Sequence, residues 1–235
     1  MDNNMNHIVI DIETIATQRM DVMDYIAATV KPPATYKKPE SIAEWHKEQG
    51  PAAIEEALAK TGLDGAFGQV VCIGYDLHDT GEPDAVYGLD ERDVLTRFNA
   101  ALDVIPLAMH NATTVVGHNV SAFDLRFLWQ RYVVNGIRPH AIINAAAQAK
   151  SWDVKIYDTM TQFAGHGNRI SMDKLCLALS IPSPKGDMDG SMVNQAVKDG
   201  RLLDVVEYCK RDVRATREVY RRMTFKDADQ MRLVA

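Results

Sequence analysis

The first regular pattern in the chain is the run His7-Ile8-Val9-Ile10-Asp11-Ile12-Glu13-Thr14, an apolar stretch that reads as a buried strand. Side chains two apart in a strand share a face, so Asp11 and Glu13 point one way while Ile8, Ile10 and Ile12 point the other. From Ala16 to Gly68 strand signals vanish. Prolines interrupt that segment early, and Glu40 to Gln49 and Pro51 to Lys60 read as helices, with Ser41 placed to cap the first and Pro51 suited to a first turn. The strand pattern resumes at Gln69 to Tyr75 and again at Ala85 to Gly88, which with the first strand predicts an antiparallel meander. Asp90 then caps a helix carrying Val94, Phe98, Leu102 and Ile105, which Pro106 stops. A further strand, Thr113 to Gly117, leads through His118-Asn119 into a helix that buries Phe123, Phe127 and Leu128. Val154 to Thr159 reads as another strand, Ser171 caps a helix through Leu175 and Leu179, and 181–187 reads as an irregular loop. A long helix begins near Leu202.

This order predicts an α/β fold: a mixed sheet, antiparallel over its first three strands and parallel after, flanked by helices, with a helical insertion after strand 1. The simplest organisation is a single domain over 1–235, with an insertion at 16–68 and a tail at 224–235. With 46% hydrophobic and 25% charged residues the composition is that of an ordinary globular protein. No apolar run approaches the roughly 20 residues of a membrane span, and the N-terminal residues lack a signal-peptide pattern, so the expectation is a cytoplasmic protein with no membrane partner. Three cysteines, Cys72, Cys176 and Cys209, stand far apart in apolar segments and suggest reduced thiols rather than a zinc or disulfide framework. A net charge of −6 argues against a large basic nucleic-acid surface, yet leaves room for a site where acidic ligands hold cations.

Chemistry concentrates in a few carboxylates. Asp11 and Glu13 side by side at a core edge repel each other, and a cation or a proton relieves that repulsion. Asp124 sits in the first turn of its helix, where the helix dipole alone suffices to explain an acid. In the last helix a stripe at helical spacing runs Val205, Tyr208, Asp212, Thr216, Val219 and Met223, with Lys210, Arg211, Arg214, Arg217, Arg221 and Arg222 opposite. One carboxylate in an inward stripe is usually paired, protonated or metal-bound, and Tyr208 stands one turn before it on the same face. An arginine partner for Asp212 and a core role for Tyr208 are the alternatives.

Asp11-x-Glu13, Asn119-x-x-x-Phe123-Asp124 and Tyr208-x-x-x-Asp212, in this order, resemble the three motifs of the DEDDy branch of DnaQ-like 3′–5′ exonucleases. The resemblance runs over about residues 7 to 223 and is strongest to stand-alone relatives of the family B DNA polymerase proofreading domain. The other branch carries a histidine five residues before the last acid, where this chain has Glu207. The resemblance implies an RNase H-like fold and removal of nucleoside 5′-monophosphates from the 3′ end of single-stranded or frayed DNA. It implies two divalent ions, Mg²⁺ or Mn²⁺, one held by Asp11, Glu13 and Asp212 and the other by Asp11 and Asp124. Tyr208, unionised, would orient the attacking water. Thr14, Ile15, Asn119 and Phe123 fall where relatives contact the substrate, and Lys185 is a candidate phosphate contact. So are Arg126, Arg131, Arg169 and Lys174, and the insertion's Lys31, Lys37, Lys38 and Lys47. Asp158 either supports the acids from behind or simply ends a strand. An exoribonuclease of the same fold and a non-catalytic nucleic-acid-binding module are the rival readings; replication or repair proteins are conceivable partners.

Overall fold

His7–Ile15 (β1) is the middle of a five-stranded sheet, buried along its length except for the partly open Asp11 and Thr14, as a central strand covered on both faces should be. In this computed structural model, which describes residues 7–150 and 153–226, β1 pairs antiparallel with Gln69–Asp76 (β2) on one side. On the other it runs parallel to Thr114–Gly117 (β4). Asp84–Tyr87 (β3) extends the antiparallel half beyond β2, and Ile156–Asp158 (β5) extends the parallel half beyond β4. The expected mixed sheet, antiparallel then parallel, is present.

The alternation in β1 sorts two cores. Ile8, Ile10 and Ile12 pack with Phe98 of the helix Glu91–Leu102 (α4), Leu128 of Asp124–Val134 (α5) and Ile142 of Ala141–Gln148 (α6). Val9 faces the other way, onto Val213 of the long helix Leu202–Met223 (α10). Ile15, Val71, Cys72 and Cys209 continue that second layer, together with Val193 of Val193–Lys198 (α9). Asp11 and Glu13 thus lie on the α10 side. Opposite them β2 carries a bulge: Glu13 pairs with Cys72 and Thr14 with Val70, so Val71 is the extra residue. Val71 and Cys72 consequently both reach the α10 core, as a bulge allows.

Helix α10 sits very close to the sheet because Gly74 is opposite it. A Cβ there would stand 2.8 Å from Cys209 Sγ and 2.9 Å from Val213 Cγ2. Gly74→Ala is expected to cost about 1–3 kcal/mol through overpacking, measured as a lower midpoint in urea unfolding. An unchanged midpoint would show that α10 can back away freely.

Between β1 and β2 the chain forms Met20–Thr29 (α1), Pro39–Glu48 (α2) and Gly50–Lys60 (α3). The last two match the expected helices; α1 was not anticipated. Pro39 occupies the first turn of α2, so Ser41 lies inside that helix and bonds back to Lys38 O instead of capping it. The insertion is a thin layer, burying little beyond Val22, Ile26 and Trp45 along its three helices. It is fastened at its return end, where Thr17 N donates to Thr61 Oγ1 at 2.8 Å and Arg131 donates to Gly65 O and Ala66 O.

Arg131 is therefore no phosphate contact. It is 5% exposed and makes a two-pronged pair with Glu91, which also accepts from Val70 N. A pair so buried holds only while both members are present. Other boundaries moved slightly. Helix α4 stops at Leu102 rather than at Pro106, leaving Ile105 in the core but outside the helix. Val154 is exposed, outside the strand expected from it. The short helix Thr159–Ala164 (α7) follows β5, and Ser171 caps Met172–Leu179 (α8) as expected. Residues 227–235 of the tail lie outside the described residues. Among the described residues no helix is long and apolar enough to cross a membrane.

Candidate active site

Three elements bring the carboxylates together. β1 contributes Asp11 and Glu13 through its alternation, and the start of α5 contributes Asp124. The middle of α10 contributes Asp212. Asp124 is tied directly to β1, accepting from Ile12 N at 3.1 Å, so the second motif is locked to the first through one backbone bond. Glu13 is 7% exposed and Asp124 4%, while Asp11 and Asp212 keep part of their surface open.

The loop that presents Asp124 is held by Asp158. Its carboxylate, 1% exposed, accepts from Asn119 N and Ser121 N at 3.0 Å and from Ser121 Oγ at 2.7 Å, and it also caps α7. Of the two expected roles for Asp158, ending a strand and supporting the acids, it performs both. Asn119 adopts a left-handed backbone, φ 63°, a conformation that asparagine tolerates better than most residues. Its carbonyl accepts from Phe123 N and closes the turn into α5.

Burial and mutual repulsion raise the acids' pKa values. Burial pushes Asp124 up to about 7 despite the hydrogen bonds it accepts, with Asp158 and Asp212 adding to the rise. Burial likewise pushes Asp212 up to about 6, against the pull of the Tyr208 hydroxyl and the Arg211 guanidinium. Asp11 and Glu13 are raised well above the carboxylate range, first by burial and then by the other acids. Burial and the neighbouring Asp212 and Glu13 push the Tyr208 phenol far up, so it stays protonated. Such a cluster is costly as four anions and becomes comfortable when a cation enters.

The donor set fits a metal. Oxygens of Asp11 and Glu13 and Sγ of Cys209 lie within 4.8 Å of one another. Cys209 is the free, buried thiol its apolar segment suggests, but its contact with the acids is not legible in the sequence. Its thiol, fully buried, donates to Asp11 Oδ2 at 3.3 Å and Asp11 O at 3.5 Å, and burial pushes its pKa well up, so it is a neutral neighbour rather than a thiolate. The only hint in the sequence was its place between Tyr208 and Asp212.

Glu13 opens into a groove of about 710 Å³, within the range of sites that take a nucleotide-sized ligand. Ile12, Thr14 and Phe123 line it from the core; Met23, Leu58 and Leu63 line it from the insertion, and Asn194 and Lys198 from α9. Thr14 also bonds to Gly62 O at 2.6 Å. Ile15 does not face this groove: at 3% exposure its side chain belongs to the core under α9. Asn119 lines a separate cavity of about 360 Å³ with His166 and Arg169. Lys185, on the 181–187 loop, is paired with Asp173 at 3.3 Å. Arg126 lies over the Trp129 ring, and Lys174 and the four insertion lysines are exposed.

The basic face expected on α10 is divided. Arg217 turns inward, 7% exposed, to pair with Asp76 at 2.6 Å, and Arg221 pairs with Asp79. The inward stripe is centred on Val205, Cys209, Val213 and Thr216, which leaves Tyr208 and Asp212 half-buried at its border.

The mixed five-stranded sheet flanked by helices is the α/β arrangement of the RNase H-like fold, with an acidic cluster at its centre. The chain belongs to a family of predicted 3′–5′ exonucleases related to the exonuclease domain of PolB, whose family model matches residues 69–231. The matched span starts at β2, so it holds Asp124, Tyr208 and Asp212, while Asp11 and Glu13 join them through the fold. A search of curated protein sequences finds no match. A 3′–5′ exonuclease acts on nucleic acid, and the acidic cluster is a candidate for the metal such enzymes employ.

Proposed function

We propose that this protein removes nucleoside 5′-monophosphates one at a time from the 3′ end of single-stranded DNA. The observation that carries the reading is the mutual repulsion of Asp11, Glu13, Asp124 and Asp212, brought close from three separate elements, with Glu13 at the wall of a nucleotide-sized groove. Asp11, Glu13 and Asp212 would hold one divalent ion and Asp11 and Asp124 a second. Two Mg²⁺ or Mn²⁺ ions so bound supply charge neutralisation for an in-line displacement at phosphorus. The groove receives the terminal nucleoside against the apolar wall of Phe123, Leu58 and Leu63, with Thr14 at its polar edge. Tyr208, kept protonated, is a hydrogen-bond donor and acceptor beside Asp212, suited to orienting a water for attack. The recess in which Glu13 and Asp124 lie favours a free strand end over the middle of a duplex.

Matched single-stranded DNA, blunt duplex DNA and RNA, each labelled at the 5′ end, test the substrate. Single-stranded DNA is expected to shorten fastest, in steps of one nucleotide. RNA shortening at the same rate or faster would transfer the reading to an exoribonuclease.

A further inference from the structure

Arg211 stands out among the cations near the site because its guanidinium is left without a hydrogen-bond acceptor. Among the described residues it makes no ion pair and no hydrogen bond, and its Nε is buried without an acceptor. Glu207, one turn earlier on α10, is well placed in sequence to pair with it and does not. The guanidinium is instead covered by the 181–187 loop. A Cβ added to Gly186 would lie 3.2 Å from one terminal nitrogen and 3.3 Å from both Cζ and the other. Near-equal distances to these three atoms mean that Gly186 covers the flat face of the guanidinium. The N–H donors, which lie in the plane, are left pointing away from the glycine.

The loop is itself pinned. Asp173 of α8 accepts from Ser183 Oγ and pairs with Lys185, so the residues just before Gly186 are tied to α8 at the surface. The guanidinium is close enough to Asp212 to hold that carboxyl's pKa down. A planar donor fork, preset by the loop and left without an acceptor beside the acids, matches an oxygen pair on phosphate.

We propose that Arg211, oriented by Gly186, binds a backbone phosphate of the substrate strand. The inference rests on the exonuclease reading above and adds to it a phosphate contact on α10. It also explains why the 181–187 loop carries a glycine where the guanidinium needs a flat cover.

The test is anisotropy of a 5′-fluorescein oligothymidylate, protected by phosphorothioate linkages at its 3′ end, titrated with the full chain in Ca²⁺ between 50 and 200 mM KCl. Each phosphate contact to a single strand contributes about 0.7 to the slope of log K against log salt, so Arg211→Gln should lower the slope by about that amount. Affinity at the lowest salt should fall by about tenfold. Arg211→Lys should keep the slope while losing part of the affinity, because a point charge replaces the fork. Gly186→Ala should weaken binding by pushing the guanidinium aside. An unchanged slope and affinity in Arg211→Gln would overturn the inference alone. Should that variant not fold, wild-type affinity in both Arg211→Lys and Gly186→Ala would overturn it. Absence of binding by the wild type would remove the exonuclease reading and this inference with it.

Discussion

Asp11→Ala should abolish Mg²⁺-dependent release of mononucleotides, with a fall on the order of 10²–10³-fold or more, while leaving the metal-free protein at least as stable as the wild type. Asp11 is the hub of the cluster. Its carboxyl is raised first by burial and then by repulsion from Glu13, Asp124 and Asp212 together, and that repulsion is mutual. Removing Asp11 therefore deletes a shared ligand and relieves repulsion at the same time. Loss of activity accompanied by an unchanged or higher melting temperature would mark a functional group, and loss through unfolding would not. Calorimetric titration should show that Asp11→Ala disturbs the binding of both ions and Glu13→Ala mainly one. Equal loss of both ions in the two variants would contradict the division of ligands.

The raised carboxyls also predict an unusual pH dependence. Between the ordinary carboxylate range near 4 and the folded value of about 7, Asp124 keeps a proton that the unfolded chain has released. Asp212, at about 6, does so over a narrower window. Stability of the metal-free protein should therefore fall as pH rises from 5 to 7.5, by a few kcal/mol at most from these two groups, with the raised Asp11 and Glu13 carboxyls acting in the same direction. The half-buried His118, whose pKa is depressed by desolvation, works in the opposite direction below pH 6.5, since the unfolded chain takes up its proton first. Comparison with Asp124→Asn cancels that contribution, and the melting profile of this variant should be flatter. Saturating Mg²⁺ at pH 7.5 should raise the wild-type melting temperature by about 5–10 °C, and at pH 5 by much less, because protons and metal compete for the same oxygens. Identical profiles in the wild type and Asp124→Asn would contradict the assignment.

What the sequence disclosed and what it concealed divide along contact range. Alternation in β1 placed Asp11 and Glu13 on one face without any knowledge of partners, and helical spacing put Tyr208 and Asp212 one turn apart. The meander and the capped helix α4 followed from equally local signals. Arg131 was misread because a lone arginine on a helix looks like any surface cation; its partner Glu91 is 40 positions away and invisible to periodicity. Arg217 was assigned to the outer face for the same reason, Asp76 being distant in sequence. Helix α1 has no capping side chain and buries only Val22 and Ile26, so nothing in the pattern announced it. Cys209 and Gly74 acquire meaning only when α10 is laid against β2. Arg211 was hidden by its proximity to Asp212, since one residue along a helix turns the side chain by about 100° and removes it from the stripe.

The central claim is directional, metal-dependent hydrolysis from a 3′ end. The most direct measurement is a time course on one single-stranded DNA oligomer prepared in two forms, labelled at the 5′ end and at the 3′ end, with Mg²⁺, with EDTA, and with the Asp212→Ala variant. The prediction is immediate release of labelled mononucleotide from the 3′-labelled form and a descending ladder from the 5′-labelled form, both absent with EDTA and in the variant. A single internal cut, mononucleotide released first from the 5′ end, or activity surviving in EDTA or in Asp212→Ala would contradict it.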